Sequence, residues 1–133
     1  RRHQLENVRM LLGDATEFIT HWCPDSFVDV VHLYFSDPWP KKRHHKRRVI
    51  QDSTLAQFER VLVPGGELRM VTDHADLWEW YEEHATRHAN LFERNEFNAP
   101  GSAGPAELVG TNYERKFQPE GRAFRAMTLR KQA

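Results

Sequence analysis

Three aspartates, a tryptophan set between two prolines and a dense run of cations are the residues best suited to chemistry. Asp37 opens the segment Asp37-Pro38-Trp39-Pro40, and six Lys or Arg residues follow within Lys41 to Arg48. Asp14 and Asp73 stand at the ends of two other apolar runs. Carboxylates accept hydrogen bonds from N–H donors and favour a developing cation, and clustered cations favour a polyanion. Aspartate is also a common turn and helix-cap residue, so each one alone has an ordinary structural account. Three of them at one sheet edge, beside Trp39 and a basic loop, point to a site. For Lys41 to Arg48 the ordinary account is a solvated surface run. Cations at the start of a helix oppose its dipole, however, so an external anion such as a phosphate backbone is expected to compensate them. Trp39 fits two roles equally from sequence, stacking on an extruded base or packing in the core.

Other chemistries find less support. Of the eight histidines, His44 and His45 are adjacent and diverge on most backbones. His84 and His88 have helical i, i+4 spacing but lack the acidic or cysteine partner of a recognisable metal motif, so no metal is expected. The single cysteine, Cys23, has no neighbours that mark a nucleophile and reads as a packed thiol in a reducing compartment. No Ser-His-Asp arrangement, P-loop or GxGxxG pattern is present.

The elements that must position these residues follow from pattern. Phe27 to Phe35, bounded by Pro24 and Pro38, reads as a buried central strand ending at Asp37. Asn7 to Leu12 reads as a short strand closed by Gly13-Asp14-Ala15, with Asp14 capping a helix over Thr16 to Trp22. Val49 to Leu62 has a helical period that Pro64-Gly65-Gly66 ends, and Glu67 to Thr72 is a strand with Asp73 at its carboxyl end. Leu77, Trp80, Tyr81, His84 and Ala85 mark another helix. Leu91 to Phe97 and Arg122 to Arg130 read as a closing pair of strands around a long loop, Asn98 to Thr111. This alternation predicts an α/β sheet whose carboxyl edge gathers Asp14, Asp37 and Asp73.

At 133 residues the chain reads as a single domain, 1–133, with 19 basic and 19 acidic residues. The balance advertises no global partner, but its distribution does: Lys41 to Arg48 and Arg115 to Lys131 are basic, Asp73 to Glu83 acid-rich. No run approaches the ~20 apolar residues of a membrane span, and no secretory signal pattern is visible. A soluble, cytoplasmic protein is expected. Arg1-Arg2 opens without an initiator Met and runs quickly into the first inferred strand, which suggests that the domain is incomplete at its N-terminus.

The motif Asp37-Pro38-Trp39-Pro40-Lys41-x-Arg43-His44-x-Lys46-Arg47-Arg48 closely resembles that of the tRNA (guanine-N7-)-methyltransferases. Gly13-Asp14-Ala15 upstream, Thr72-Asp73 downstream and the late Thr111-Asn112-Tyr113-Glu114-Arg115-Lys116 extend the likeness through essentially the whole chain. The resemblance implies a doubly wound, Rossmann-like α/β methyltransferase sheet of seven strands. This chain would supply its C-terminal portion, strands 3 to 7, with the first strands absent. It implies S-adenosylmethionine as cofactor, tRNA as partner, and methyl transfer to N7 of a guanosine in the variable loop. By position, Asp14 would hold the adenosine part of the cofactor and Asp37 would serve both cofactor pocket and catalysis. Lys41 would contact substrate, and Arg43, His44, His45, Lys46, Arg47 and Arg48 would contact RNA. Asp73, Thr111 and Glu114 would bind the target guanosine. The glycine-rich cofactor loop of the family has no counterpart in these residues. A non-catalytic RNA-binding fragment is therefore the competing expectation. A methyltransferase of exocyclic amines ranks third, because Pro38-Trp39-Pro40 lacks the adjacent prolines of that motif.

Overall fold

The computed structural model describes residues 4–133; Arg1 and Arg2, which carried the reading of the N-terminus, lie outside them. Seven main-chain elements precede the last helix and strand in the order α1 (Ala15–His21), β1 (Val28–Tyr34), α2 (Asp52–Val61), β2 (Leu62–Thr72), α3 (Ala75–Arg87) and β3 (Phe92–Asn95), with a 3-10 helix over Lys42–Arg47 between β1 and α2. Then come α4 (Asn112–Phe117), a 3-10 turn (Gln118–Glu120) and β4 (Arg125–Lys131). The four strands form one mixed sheet in the order β1-β2-β4-β3. β1 and β2 are parallel, as a crossover through α2 requires, and β4 runs antiparallel to both β2 and β3. The α/β class is as expected.

Local chemistry sets the boundaries. Asp14 caps α1 by accepting the Glu17 N–H at 3.0 Å. Before α2 the Gln51 N–H donates to Thr54 Oγ1 at 2.8 Å. His74 Nδ1 accepts the Leu77 N–H to start α3. The buried faces of α2 (Leu55, Phe58, Val61) and α3 (Leu77, Tyr81, His84, Ala85) recur at helical spacing. Of these, Leu55, Phe58, Leu77, Tyr81 and Ala85 pack with Leu62, Leu68 and Met70 of β2 and Met127 and Leu129 of β4 in one core.

Strand β2 starts earlier than its pattern predicts, running straight out of α2 through Pro64-Gly65-Gly66. The register against β1 shifts between Val28 and Val30 at this point. Gly65 has φ +79°, and a Cβ on Gly66 would meet Val63 O at 2.9 Å and Asp29 O at 3.0 Å. The two glycines are what allow a strand here.

Two expectations for the N-terminal third fail. Asn7–Leu12 is irregular chain, with Met10 89% and Leu12 107% exposed. It pairs with no strand of the sheet. Phe27–Phe35 is not a buried central strand either: it forms β1, which stops at Tyr34, short of Asp37, and lies at the edge of the sheet, with Phe27 exposed and Val30 partly so. Cys23 is buried, as expected of a packed thiol.

Candidate active site

The parallel pair β1–β2 ends in a cavity of about 460 Å³ lined by Phe35, Ser36, Asp37, Pro38, Thr72, Asp73, His74, Tyr113 and Arg122. Its floor is built by an unusual turn. Phe35 has φ 55° and Trp39 φ 43°, so two bulky residues in the left-handed region flank Asp37. The surroundings hold them there. The Phe35 N–H still bonds Val71 O at 2.9 Å, and its ring packs against Tyr113 (4.4 Å) and edge-on to Phe124 (5.7 Å). Ser36 shares a 2.8 Å hydrogen bond with the buried hydroxyl of Tyr81 on α3. Asp37 is exposed between these fixed points, and its carboxylate has no hydrogen-bond or ion-pair partner among the described residues.

Asp73 is different. Its Oδ2 accepts from the Tyr113 hydroxyl at 3.0 Å and from Arg122 Nη1 at 2.9 Å, and Arg122 also donates to the Tyr113 oxygen. The Arg122 guanidinium lies 3.8 Å from the centroid of Phe117. Its hydrogen bond to Asp73 raises the Arg122 pKa. Partial burial, and then the Asp73 carboxylate, raise that of Tyr113. The two carboxylates facing the cavity are thus unequal: one is neutralised by a fixed cation, the other is free.

The remaining positions separate. Asp14 does not join the cavity. It lines another hollow, of about 490 Å³, with Leu11, Leu12, Gly13, Phe18 and Trp22. The Glu17 N–H is the first cause of its lowered pKa. Thr111 caps α4 by accepting the Glu114 N–H at 3.2 Å. Glu114 is 1% exposed, and its carboxylate accepts the N–H groups of Leu108 (2.7 Å), Val109 (3.1 Å) and Gly110 (2.9 Å). Gly110 has φ +70°, and a Cβ there would meet Ser102 O at 2.9 Å. Thr111 and Glu114 therefore organise the long loop and the start of α4; neither lines the cavity. Tyr113, between them, does. Tyr113 and Arg122 were missed from sequence, where neither stands beside a strand-end carboxylate. The only signal for Tyr113 was its place inside the Thr111–Glu114 motif.

The basic run also divides. Lys41, Lys42, Arg43, Lys46 and Arg47 are exposed. Trp39 is half-buried, with His44 edge-on at 5.8 Å and the Arg47 guanidinium 5.1 Å from its ring centroid. His45 turns the other way, edge-on to Trp80 at 5.3 Å, with Nε2 3.3 Å from Pro40 O. Arg48 is 2% exposed. No group of three or more His, Cys, Asp or Glu side chains among the described residues could hold a metal, and no described helix is long and apolar enough to cross a membrane.

The sequence matches known proteins along most of its length. Residues 1–127 match a family model described as "Putative methyltransferase". The chain belongs to this methyltransferase family. Among curated relatives it is similar to a tRNA (guanine-N(7)-)-methyltransferase of Nitrobacter hamburgensis, 37% identical over 98% of the chain and 51% of the relative. It is 39% identical to that of Agrobacterium fabrum over 97% of the chain and 55% of the relative. An 82-residue stretch is 50% identical to that of Corynebacterium diphtheriae, covering 62% of the chain and 32% of the relative. The chain spans about half the length of the first two relatives. The relatives are those to which the Asp37–Arg48 motif pointed.

Proposed function

We propose that this chain is the guanine- and RNA-facing part of an S-adenosylmethionine-dependent tRNA (guanine-N7-)-methyltransferase. The observation that carries the reading is the cavity shared by the free carboxylate of Asp37 and the Arg122-neutralised carboxylate of Asp73, with the exposed cations of Lys41–Arg47 following it in the chain. In the seven-stranded sheet of the family, β1 to β4 would take the places of the fourth to seventh strands. Asn7–Leu12 would take that of the third once a second strand lay beside it.

Guanine N7 carries its lone pair at neutral pH, so no base is needed to create the nucleophile. The site must place N7 and tolerate the positive charge that methylation leaves on the purine. Bound S-adenosylmethionine would supply the sulfonium methyl, which N7 takes as the S–C bonding pair returns to sulfur. The residues here fit part of that cofactor. The hollow around Leu11, Leu12, Phe18 and Trp22 offers apolar walls to a purine, with the Asp14 carboxylate at its side. Asp37, at the end of β1, stands between cofactor and base in this reading. Its unpaired charge suits the cationic product ring. Asp73, held by Tyr113 and Arg122, offers a fixed acceptor for guanine N1–H or the exocyclic amine. Thr111 and Glu114 act at one remove, by fixing the loop from which Tyr113 enters the cavity. Lys41, Arg43, Lys46 and Arg47 meet the RNA backbone, and His44 supports them against Trp39. A guanosine in the variable loop of tRNA is the substrate this reading assigns.

The test is transfer of labelled methyl from S-adenosylmethionine into unmodified tRNA, with this chain run beside an N-terminally extended one. Base-induced cleavage then maps the product to guanine N7. N7 methylation by the extended protein, lost in its Asp37→Asn variant, is the expected result. Retained tRNA binding with no N7 methylation from either protein would overturn it and leave an RNA-binding module.

A further inference from the structure

The basic run contains one residue whose position contradicts an RNA-binding role. Arg48 has 1% of its side-chain surface exposed. Its Nε donates to the Pro38 carbonyl at 2.8 Å and its Nη2 to Asp76 Oδ2 at 2.6 Å. The guanidinium lies 4.9 Å from the centroid of the Trp80 ring. Trp80 is itself fixed, its indole N–H donating to Ile50 O at 2.7 Å. A phosphate would have to displace all of these contacts to reach this cation. His45 joins the same side, three residues earlier in a 3-10 helix that brings i and i+3 into line, and reaches Pro40 O.

We infer that Arg48 is a positioning residue: with Asp76 it clamps the Pro38-Trp39-Pro40 turn onto the first turn of α3 and so fixes the Asp37 carboxylate in the cavity. Pro38 follows Asp37 directly. The backbone here holds two non-glycine residues at positive φ, a conformation that persists only where the surroundings impose it. Arg48 supplies that constraint from below, while Ser36 is held from α3 by Tyr81. Asp76 lies in the first turn of α3, three residues after Asp73, so the clamp ties the turn that holds one cavity carboxylate to the helix that follows the other. The planar guanidinium presents Nε–H to the carbonyl and Nη2–H to the carboxylate in one fixed fork, a geometry that the flexible, more strongly hydrated ammonium of lysine does not reproduce. The effect of this clamp on turnover rests on the methyl-transfer reading above.

The experiment compares Arg48→Gln, Arg48→Lys, Asp76→Asn and Arg47→Ala in the natural full-length protein. It measures tRNA affinity against salt, kcat and KM for tRNA, and exchange of the Phe35 amide, whose hydrogen bond to Val71 O anchors this turn. Arg47→Ala, which removes an outward cation, should lower the slope of log affinity against log salt by about 0.7–0.9 and leave amide exchange unchanged. Arg48→Gln and Asp76→Asn should leave that slope as in the wild type, speed exchange at Phe35, and lower kcat about 10- to 100-fold with KM little changed. Arg48→Lys should fail to restore kcat. The inference is overturned if Arg48→Gln lowers the salt slope as Arg47→Ala does, or if Arg48→Lys restores full turnover. Tighter tRNA binding by Asp76→Asn with a steeper salt slope would also overturn it, since an added phosphate contact is the mark of a phosphate-binding cation set free. If Arg48→Gln does not fold, Asp76→Asn and Arg48→Lys decide the matter. A wild-type protein that methylates nothing would sink the methyltransferase reading, and the exchange data would still decide the clamp.

Discussion

Tyr81 links the core to the turn that presents Asp37, and its chemistry gives a prediction with a defined sign. The residue is 1% exposed on α3, and its hydroxyl shares a 2.8 Å hydrogen bond with Ser36. Burial pushes its pKa from 10 to about 12, with the Ser36 bond and Arg48 opposing the shift weakly. A group with a raised folded pKa contributes stability that is complete below its unfolded pKa and is lost as pH climbs through the folded one. Two pH units correspond to about 2.7 kcal/mol, so roughly that much should be lost between pH 10 and pH 12. Tyr81→Phe keeps the ring and removes both the titration and the bond to Ser36. Near pH 8 the variant should be less stable by about 1 kcal/mol, the ordinary net worth of a hydrogen bond. The two stability curves should then cross at about pH 10.7, beyond which the variant is the more stable. Urea unfolding followed by circular dichroism at a series of pH values measures both curves. Parallel curves from pH 8 to pH 12 would refute the reasoning, because they would mean that the hydroxyl ionises as freely in the folded protein as in the unfolded chain.

Three further perturbations have clear outcomes. Glu114→Ala removes the acceptor of three loop N–H groups and should cost about 2–3 kcal/mol, with faster amide exchange at Leu108, Val109 and Gly110 the direct readout. Asp52 accepts from His88 at 2.8 Å and Arg87 at 2.9 Å, which hold its pKa at about 2. That depressed value contributes stability above about pH 4 that is lost as pH falls toward about 2; Asp52→Asn should remove this part of the acid dependence in thermal melts. Arg122→Ala frees Asp73 from its cation and should weaken guanosine-site binding, read as a rise of about 10-fold in KM for tRNA with the salt slope of binding unchanged. A fall in that slope would instead place Arg122 on the RNA backbone.

Helices were the most legible part of the chain, and α3 shows why. The positions that marked it, Leu77, Trp80, Tyr81, His84 and Ala85, recur at i, i+3, i+4, i+7 and i+8; all are buried except Trp80, which is partly so. Strand pattern was legible too, but strand partnership was not. Asn7–Leu12 has the composition of a strand and no neighbour to pair with, while β1 has the apolar content of an inner strand and lies at an edge. The carboxylates at the ends of β1 and β2 were correctly brought together, because a parallel pair sends both carboxyl ends the same way. Asp14 was grouped with them through a strand that does not form. Within Lys41 to Arg48 the sequence shows only charge; which cations face inward depends on a 3-10 helix that aligns His45 with Arg48. The short α4 escaped notice because its six residues carry too little periodicity to register.

The place of β4 in the sheet bears on how this protein comes off the ribosome. The strand is made last of the four yet lies second from one side, bonded to β2 on one flank and β3 on the other. Until Lys131 has emerged from the exit tunnel, β3 has no ladder at all and β2 is open along one flank. Tyr113 and Arg122, which close the cavity around Asp73, also belong to this final stretch. At about 5–20 residues per second, several seconds separate synthesis of Asp37 from that of Arg122. The nascent chain thus exposes unpaired strand edges through most of its synthesis, and the pocket can assemble only in one of its last steps.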